Sequence, residues 1–485
     1  MKIFLAILLV LFFSSSYNQV FKGDSIYIKK SVSLLTDSNW QGAVVAITAK
    51  DLTDNKLMID YNGSLKLTPA SIVKLITTGA ALHILSPSFR FKTEFYYSGE
   101  IHDSILNGDV IIRGYGDPTL YSRFFKTFYE KNSPFDTLAI ILKNRGIKYI
   151  KGRIIGDASF FDYNLPTSTW IVGDVANYFG ASPCGLNIYN NEYSLYFKTS
   201  DTIAPAILKN IYPDNIPIEL KNFLKGGKVS NDQSIIYGGL FDSTRIVVGL
   251  IPLKSDSFEV RGSIPNPPLL AANFLQEVLE KQGISVADAP AFRMEYNYVN
   301  DTTEKKQLIY THYSPNLSQI INLTNLYSIN LFAENIARLC GYEQYKSTTT
   351  ESGTLAINRF WKNKTGEMLL YDASGLSRFN GVSTQQFVSV LEYMYTKSSY
   401  KKVFYNSLAV AGENGTLSKM FLNSKAKGKV IAKTGTMTNI RSLSGYIQTK
   451  EKHTIAFTII VNNCPQSSKW IKEKIEQIIL KLFFE

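Results

Sequence analysis

The segments most typical of β-strands lie at opposite ends of this 485-residue chain, and this separation constrains the fold more than any other feature. Five apolar runs bounded by turn residues are predicted strands: 42–49, 57–61, 428–433, 441–447 and 453–461. An amphipathic helix is predicted over 468–484, where Ile471, Ile475 and Ile478 share one face. Because strands must pair to satisfy their backbone groups, the two ends are expected to build one sheet covered by helices.

The middle of the chain has a different character. Residues from about 93 to 295 show strand-like alternation and many Gly, Pro and Asp turns, such as 113–118, and from about 312 to 400 the pattern is helical again. A chain of this length exceeds one ordinary core, so two or three domains are expected. The layout favours a β-rich insertion that splits one domain into two segments of sequence.

Composition and charge narrow the function classes. An apolar fraction of 45% and a charged fraction of 19% describe a globular protein. The net charge of +12 comes from scattered basic residues, which argues against a nucleic-acid partner. It is compatible with attraction to an anionic envelope polymer, and equally with solubility alone. Three widely separated cysteines and four unclustered histidines indicate neither a disulfide framework nor a metal centre.

The first residues have the pattern of a secretory signal peptide, predicted over 1–19. Met1 and Lys2 precede eleven apolar residues, 3–13, and the small residues 14–16 follow. The apolar run is short for a membrane span, and an uncleaved anchor is the alternative. Since no later run is long enough to span a bilayer, the mature chain is expected to be exported to the periplasm or cell envelope. It would be soluble or peripherally attached there, without an integral membrane span.

Ser71 and Lys74 form the most informative short motif. Thr68 suits an N-cap and Pro69 suits the first helical position, so a helix is predicted to begin just before Ser71. Residues three apart share a helical face, which would bring the Lys74 amine to the Ser71 hydroxyl. Three other Ser-x-x-Lys matches lie in polar, basic stretches typical of a solvated surface: 398–401, 399–402 and 424–427.

A second motif, Ser-x-Asn, opens the apolar-periodic segment 327–335. The Ser328 hydroxyl can pass a proton towards a leaving amine, and the Asn330 amide can both donate to and accept from a substrate peptide. Two other Ser-x-Asn triplets are less suitable: 16–18 lies beside the predicted signal peptide, and 314–316 contains a proline.

A third motif, Lys433-Thr434-Gly435-Thr436, follows a predicted strand and precedes another. Lysine supplies positive charge, glycine allows close backbone approach, and the threonine hydroxyls can bind a carboxylate. A second Lys-Thr-Gly copy at 364–366 is flanked by polar residues and is interpreted as a structural turn.

Ser-x-x-Lys, Ser-x-Asn and Lys-Thr-Gly, in this order, are shared by penicillin-binding proteins and serine β-lactamases. Within that group the chain resembles the D-alanyl-D-alanine carboxypeptidase/endopeptidase family of low-molecular-mass penicillin-binding proteins, the class with large inserted domains. Further family-like segments are 114–120, 178–181, 186–187 and 372–377. Ile329 and Ala373 depart from the residues more usual there, without removing a reacting group.

The resemblance implies an α/β (α+β) fold. A β-lactamase-like transpeptidase domain, with an antiparallel sheet flanked by helices, would carry β-rich inserted domains. The implied boundaries are 20–93 with 296–485 for the D,D-peptidase domain, 94–165 with 265–295 for inserted domain II, and 166–264 for a nested inserted domain III.

The resemblance also implies a two-step acyl transfer on peptidoglycan stem peptides, with β-lactams as inhibitors and no metal or cofactor. Ser71 would cleave D-Ala-D-Ala, and also D-Ala–diamino acid cross-links, through an ester intermediate. Lys74 would accept the serine proton, which requires a pKa lowered by burial and by nearby Lys433. Backbone N–H groups of Ser71 and Thr436 would form the oxyanion hole. Lys433, Thr434 and Thr436 would hold the terminal carboxylate.

Family members hold the diamino-acid side chain of the stem peptide with an inserted loop and flanking residues. By resemblance the candidates here are Asp174, Tyr178, Leu376 and Met437. An Asp174 carboxylate facing an ammonium group makes chemical sense, and an ordinary loop aspartate is the alternative.

Two other functions share parts of this pattern. A serine β-lactamase has the same motifs, but the chain has no Glu-x-x-x-Asn element placed to activate a deacylating water, and its insertion is large. A catalytically silent wall-binding protein would not require the reacting side chains, all of which are present. The oligomeric state is not predicted.

Overall fold

The computed structural model describes residues 21–162, 165–214, 216–294 and 305–485. The predicted signal peptide, residues 1–19, lies outside them. The chain divides into two compact units. Unit 1 comprises Met1–Ile76, Trp361–Leu369 and Phe379–Glu485, and unit 2 comprises Thr77–Phe360 and Leu370–Arg378.

Helices and short strands alternate along the described chain. The helices are α1 (Ser25–Leu35), α2 (Val73–Ile84), α3 (Lys126–Lys131), α4 (Pro134–Asn144), α5 (Val172–Val175), α6 (Pro267–Lys281), α7 (Leu317–Tyr327), α8 (Asn330–Tyr345), α9 (Thr350–Thr365), α10 (Thr384–Thr396), α11 (Lys401–Asn406) and α12 (Ser468–Phe483). The strands are β1 (Lys22–Gly23), β2 (Val44–Asp51), β3 (Lys56–Tyr61), β4 (Lys92–Ser98), β5 (Glu100–His102), β6 (Ile105–Asn107), β7 (Val110–Gly114), β8 (Tyr149–Ile150), β9 (Ile154–Asp157), β10 (Glu192–Lys198), β11 (Ile207–Tyr212), β12 (Glu219–Asn222), β13 (Lys225–Gly227), β14 (Gln233–Tyr237), β15 (Thr244–Pro252), β16 (Phe258–Ser263), β17 (Ser285–Val286), β18 (Ala291–Arg293), β19 (Lys306–Tyr313), β20 (Ala409–Val410), β21 (Val430–Met437), β22 (Ile440–Gln448) and β23 (Thr454–Asn462).

Unit 1 is built on a seven-stranded sheet with the order β1-β3-β2-β23-β22-β21-β20. Every pair in it is antiparallel. Strands from the start of the chain pair with strands from its end, so the predicted sheet is confirmed. The central strand β23 is buried at every position, which is typical of a strand covered on both faces.

Helices of unit 1 pack on this sheet. Helix α10 contacts β2, β22 and β23, and α12 contacts β22 and α1. A capping box starts α10: the Ser383 side chain accepts from the Gln386 N–H, and the Gln386 side chain accepts from the Ser383 N–H. The predicted terminal helix is confirmed and ends one residue earlier than expected, at Phe483.

The segment that leads into α2 differs from the prediction. Pro69 occupies the N-cap position of a 3-10 turn, Ala70–Ile72, which precedes α2. Thr68, the predicted cap, instead pairs with Asn462 of β23: its N–H donates to Oδ1 at 2.9 Å and its carbonyl accepts from Nδ2 at 2.9 Å. A helical turn begins just before Ser71, as predicted, but Thr68 is not its cap and Pro69 is not its first helical residue, because Ala70 has a left-handed backbone with φ of 51°.

Among the described residues, unit 2 contains four sheets. Their orders are β18-β9-β7-β4-β19, β17-β8-β6-β5, β11-β10-β16, and β12-β15-β13 with β14 also paired to β15. Helix α6 packs on β9 and on α4. The contact between α6 and β9 is backbone to backbone at Gly156, where a β-carbon would lie 2.1 Å from the Pro268 carbonyl oxygen. Unit 2 is thus rich in short strands, as the pattern of the middle segment predicts.

The three-part division into a peptidase domain and inserted domains II and III stays a prediction. Among the residues that the structure describes, no helix combines the length and the apolar character needed to cross a bilayer.

Candidate active site

Ser71 and Lys74 meet at the start of α2. The Lys74 Nζ donates to Ser71 Oγ at 3.2 Å. Lys74 is fully buried, whereas Ser71 is partly exposed. A hydroxyl that a substrate can reach is therefore in contact with an amine that water does not reach, which is the arrangement that a serine nucleophile and its base require.

The backbone just before Ser71 is strained and held in place. Ala70 carries a β-carbon yet has a φ of 51°, a conformation that residues other than glycine rarely adopt. The Ser442 Oγ of β22 donates to the Pro69 carbonyl at 2.6 Å. Strain of this kind persists only where surrounding contacts impose it, so the sheet determines the position of Ser71.

Gly435 allows β21 to approach this turn. A β-carbon at this position would lie 2.1 Å from Ser442 Oγ and 2.7 Å from the Pro69 carbonyl oxygen. Both distances are far shorter than van der Waals contact. The glycine of Lys-Thr-Gly is therefore required for packing between β21 and the turn that carries Ser71.

Lys433, on β21, is the second buried amine of unit 1. Its Nζ donates to the Thr434 carbonyl at 2.8 Å. Burial, together with the positive charge of Lys74, lowers the pKa of Lys433 well below its usual value. Two close amines out of water cannot both remain charged without a large penalty, so the pair favours at least one neutral amine.

A cavity of about 320 Å³ lies beside the threonines of the third motif. Thr434 and Thr436 line it together with the cationic side chains of Arg441 and Lys472. The Arg441 Nε donates to Ser468 Oγ at 3.0 Å, which orients the guanidinium. Hydroxyl donors next to two cations can bind an anionic group such as a carboxylate.

Ser328 and Asn330 belong to unit 2. Ser328 joins α7 to α8 in a left-handed conformation with φ of 61°, and Asn330 is the first residue of α8. The Asn330 Nδ2 donates to the Phe179 carbonyl at 2.7 Å. The amide is thereby oriented by the segment that also carries the candidate residue Tyr178.

Three of the four candidates for the substrate side chain also lie in unit 2. Asp174 is buried and its Oδ2 accepts from Arg378 Nη1 at 3.1 Å. Burial raises the pKa of Asp174, and the Arg378 guanidinium opposes this rise. Tyr178 lies beneath the Arg261 guanidinium, whose centre is 3.7 Å from the ring centroid.

The other two candidates differ in location. Leu376 is partly exposed on the loop that also carries Arg378. Met437 is partly exposed at the end of β21, in unit 1. The roles of all four candidates remain predictions.

A buried polar network shapes the 372–378 loop. Glu334 accepts from the N–H groups of Ala373 and Ser374 at 3.1 and 2.8 Å. Asp372 accepts from the Trp170 Nε1 at 2.8 Å and from the Ser377 N–H at 2.6 Å. Burial and the neighbouring Asp372 carboxylate raise the pKa of Glu334 to about 7. Backbone N–H groups of this loop therefore donate to two carboxyl groups, and not to the carbonyl groups of a helix or a neighbouring strand.

The structure brings together some predicted residues and adds others. Ser71, Lys74, Lys433 and Gly435 are assembled within unit 1, as the motif pattern indicates. Arg378, Glu334 and Arg441 belong to none of the three sequence motifs. Arg378 directly follows the family-like segment 372–377, which is the one local pattern that could have marked it.

The antiparallel sheet, the covering helices and the Ser–Lys pair define an enzyme with the penicillin-binding-protein/β-lactamase-like fold. The structure of penicillin binding protein 4 (dacB) from Haemophilus influenzae matches with a TM-score of 0.76 and 24% identity, over 94% of this chain and 97% of that chain. The structure of that protein complexed with a novel β-lactam gives a TM-score of 0.72 over 92% and 97%.

The sequence matches the D-Ala-D-Ala carboxypeptidase 3 (S13) family over residues 29–482, and the chain belongs to this family. It is 28% identical over 446 residues to D-alanyl-D-alanine carboxypeptidase DacB of Haemophilus influenzae, covering 89% of this chain and 88% of the relative. It is 26% identical to D-alanyl-D-alanine carboxypeptidase of Actinomadura sp. (strain R39), over 89% and 80%. The predicted enzyme class, a serine-type D-Ala-D-Ala carboxypeptidase, is confirmed.

Gly435→Ala is expected to lower both stability and activity. The added methyl group has no space between β21 and the turn before Ser71, and overpacking of this kind typically costs about 1–3 kcal/mol of unfolding free energy. Urea denaturation and D-alanine release from a pentapeptide measure the two effects. Gly173→Ala is the control, because the nearest atom to its added β-carbon is 4.0 Å away. Equal losses in the two variants would contradict the packing role of Gly435.

Glu334→Gln is expected to change the pH dependence of stability. The folded protein keeps the Glu334 proton up to a pH of about 7, whereas an unperturbed carboxyl loses it near 4.5. Between these values the wild type should lose stability as the pH rises, by up to about 1.4 kcal/mol per pH unit. Glutamine does not titrate, so the variant should lack this loss. Urea denaturation at pH 5 and pH 7.5 tests it, and parallel pH profiles would contradict it.

Proposed function

We propose that this enzyme cleaves the D-Ala-D-Ala terminus of peptidoglycan stem peptides through an acyl-enzyme on Ser71. The contact of 3.2 Å between Lys74 Nζ and Ser71 Oγ is the observation that carries this proposal. Ser71 Oγ attacks the carbonyl carbon of the penultimate D-alanine and forms an ester. The peptide C–N bond breaks, and the terminal D-alanine leaves with a proton on its amine. Water then hydrolyses the ester and frees Ser71.

Lys74 is proposed as the base that takes the Ser71 proton. The amine must be neutral to do so, and complete burial beside Lys433 disfavours two ammonium groups. Whether Lys74 is the sole base or acts together with another group is an open question for this superfamily. Ser328 is proposed to pass the proton on to the leaving amine.

Substrate binding is assigned to the remaining motif residues. Backbone N–H groups of Ser71 and Thr436 would stabilise the oxyanion; loss of one such donor typically lowers kcat by about 10²–10³. Lys433, Thr434 and Thr436 would bind the terminal carboxylate, and the positive charge of Arg441 at the cavity beside the two threonines supports this. Asn330 would bind the peptide backbone of the substrate.

The diamino acid of the stem peptide is proposed to bind near Asp174, Tyr178, Leu376 and Met437. Asp174 is paired with Arg378, so this site presents a cation as well as an anion. Such a pair suits a side chain that ends in both an ammonium and a carboxylate, because each charge then meets its opposite. Cleavage of D-Ala–diamino acid cross-links would use the same residues with a different leaving amine.

The proposed setting is the periplasm or cell envelope, after export directed by residues 1–19. β-Lactams are proposed to acylate Ser71 as substrate analogues. None of the proposed steps uses a metal or another cofactor, because Ser71, the two lysines and Ser328 supply the nucleophile and the proton transfers.

Ser71→Ala is expected to abolish covalent labelling by a fluorescent penicillin and to reduce D-alanine release by several orders of magnitude, because the nucleophile is lost. Gel fluorescence and a D-alanine assay provide the readouts. Ser424→Ala removes the serine of another Ser-x-x-Lys match and should leave both unchanged. Lys433→Ala should likewise abolish activity, whereas Lys364→Ala, in the second Lys-Thr-Gly copy, should not.

These assays also separate the rival functions. Equal labelling of wild type and Ser71→Ala would show that the nucleophile is another residue. Rapid turnover of penicillin without lasting acylation would favour a β-lactamase. A wild-type protein that neither labels nor releases D-alanine would favour the catalytically silent function.

Arg378→Ala is expected to reduce selectivity for a diamino acid with a side-chain carboxylate. Loss of a charged hydrogen bond is worth about 1.5–3 kcal/mol, so kcat/KM for this substrate should fall about 10-fold or more. A lysine-containing peptide, which lacks that carboxylate, should be affected much less. Arg359→Ala, at an exposed position on α9, is the matched control. An equal loss on both peptides would contradict the assignment.

A further inference from the structure

Unit 2 contains a cavity of about 570 Å³ that the proposed chemistry does not use. Five aromatic side chains and one ion pair form its characteristic lining: Tyr121, Tyr129, Tyr189, Tyr212, Phe274, and Arg123 with Glu192. Small-molecule sites typically have volumes of about 300–1,000 Å³. The cavity is therefore large enough for a ligand of disaccharide size.

The aromatic wall is a connected set of rings. The Tyr121 centroid lies 5.0 Å from that of Phe274 and 6.0 Å from that of Tyr189, and Tyr189 lies 5.9 Å from Tyr212. Tyr121 and Tyr189 both have left-handed backbones, with φ of 50° and 53°. Side chains with a β-carbon rarely adopt this conformation, so two strained positions orient rings that line one cavity.

The charged side chains of the lining nearly cancel, because Arg123 and Lys126 face three acidic residues, Glu130, Asp136 and Glu192. The Glu192 Oε2 accepts from Arg261 Nη1 at 3.1 Å and lies 3.4 Å from Arg123 Nη2. The carboxylate is held by two guanidinium groups, and its side chain is only 11% exposed. A strongly charged ligand would gain little from such a wall. An uncharged ligand with hydroxyl and amide groups would find fixed donors and acceptors.

We propose that this cavity binds the amino-sugar strand of peptidoglycan, to which the stem peptides are attached. A pyranose ring has an apolar face of C–H groups and an edge of hydroxyl and acetamido groups. Its face can stack on the tyrosine rings while its edge bonds to Arg123 and Glu192. The assignment rests on the proposed function, because it takes the ligand to be the polymer that carries the cleaved peptide.

Chitotetraose, a β-linked N-acetylglucosamine oligomer without peptide, is the probe. Isothermal titration calorimetry is expected to detect binding to the wild type and binding about 3- to 10-fold weaker for Tyr212→Ala, which loses one ring contact. Tyr237→Ala is the matched control: both tyrosines are about half exposed, at 51% and 41%, and Tyr237 does not line the cavity. Arg123→Gln provides a second variant that tests the polar edge.

A kinetic comparison supplies the second readout. Tyr212→Ala should raise KM for a disaccharide-linked pentapeptide and leave KM for the free pentapeptide unchanged. Absence of chitotetraose binding, or equal binding by Tyr212→Ala, Arg123→Gln and Tyr237→Ala, would overturn the assignment. Sugar binding requires no turnover, so a wild type that binds chitotetraose but releases no D-alanine would contradict the proposed function alone.

Discussion

Two amines, Lys74 and Lys433, are buried close to each other in unit 1. The packing of this unit holds the two side chains in these positions. A buried ammonium loses favourable hydration, and a second one nearby adds repulsion. Tertiary contacts therefore have to hold both side chains where isolated lysines would not stay. β21 carries one, α2 carries the other, and the bond from Ser442 to Pro69 fixes the turn before α2. This arrangement supports the proposed role of Lys74 as the base that takes a proton from Ser71.

The sequence predicts the sheet of unit 1 well and the entry to α2 poorly, for a physical reason. Strands such as β2 and β23 consist of apolar runs between turn residues, and this pattern is local. The conformation of Ala70 is not local, because it depends on β22 and on the space left by Gly435. A capping rule applied to Thr68 and Pro69 does not account for strands that lie hundreds of residues away in the chain.

The same distinction separates the site residues that were anticipated from those that were not. Ser71, Lys74 and Lys433 belong to short patterns in which the chemistry requires given residue types at given spacings. Arg378 is paired with Asp174, which lies 204 residues earlier in the chain. Glu334 likewise accepts hydrogen bonds from backbone N–H groups that lie about 40 residues later in the chain. Neither pairing leaves a periodic or compositional trace, so only the folded chain reveals it.

Gly435 gives the third motif a meaning beyond substrate recognition. At this position β21 lies so close to the Pro69 carbonyl that no side chain larger than a hydrogen atom fits. The glycine of Lys-Thr-Gly therefore indicates a short distance between two backbone segments, in addition to the groups of the motif that can bind a substrate. A larger residue at position 435 would push β21 away from the turn that precedes Ser71, so this glycine also sets the position of that serine.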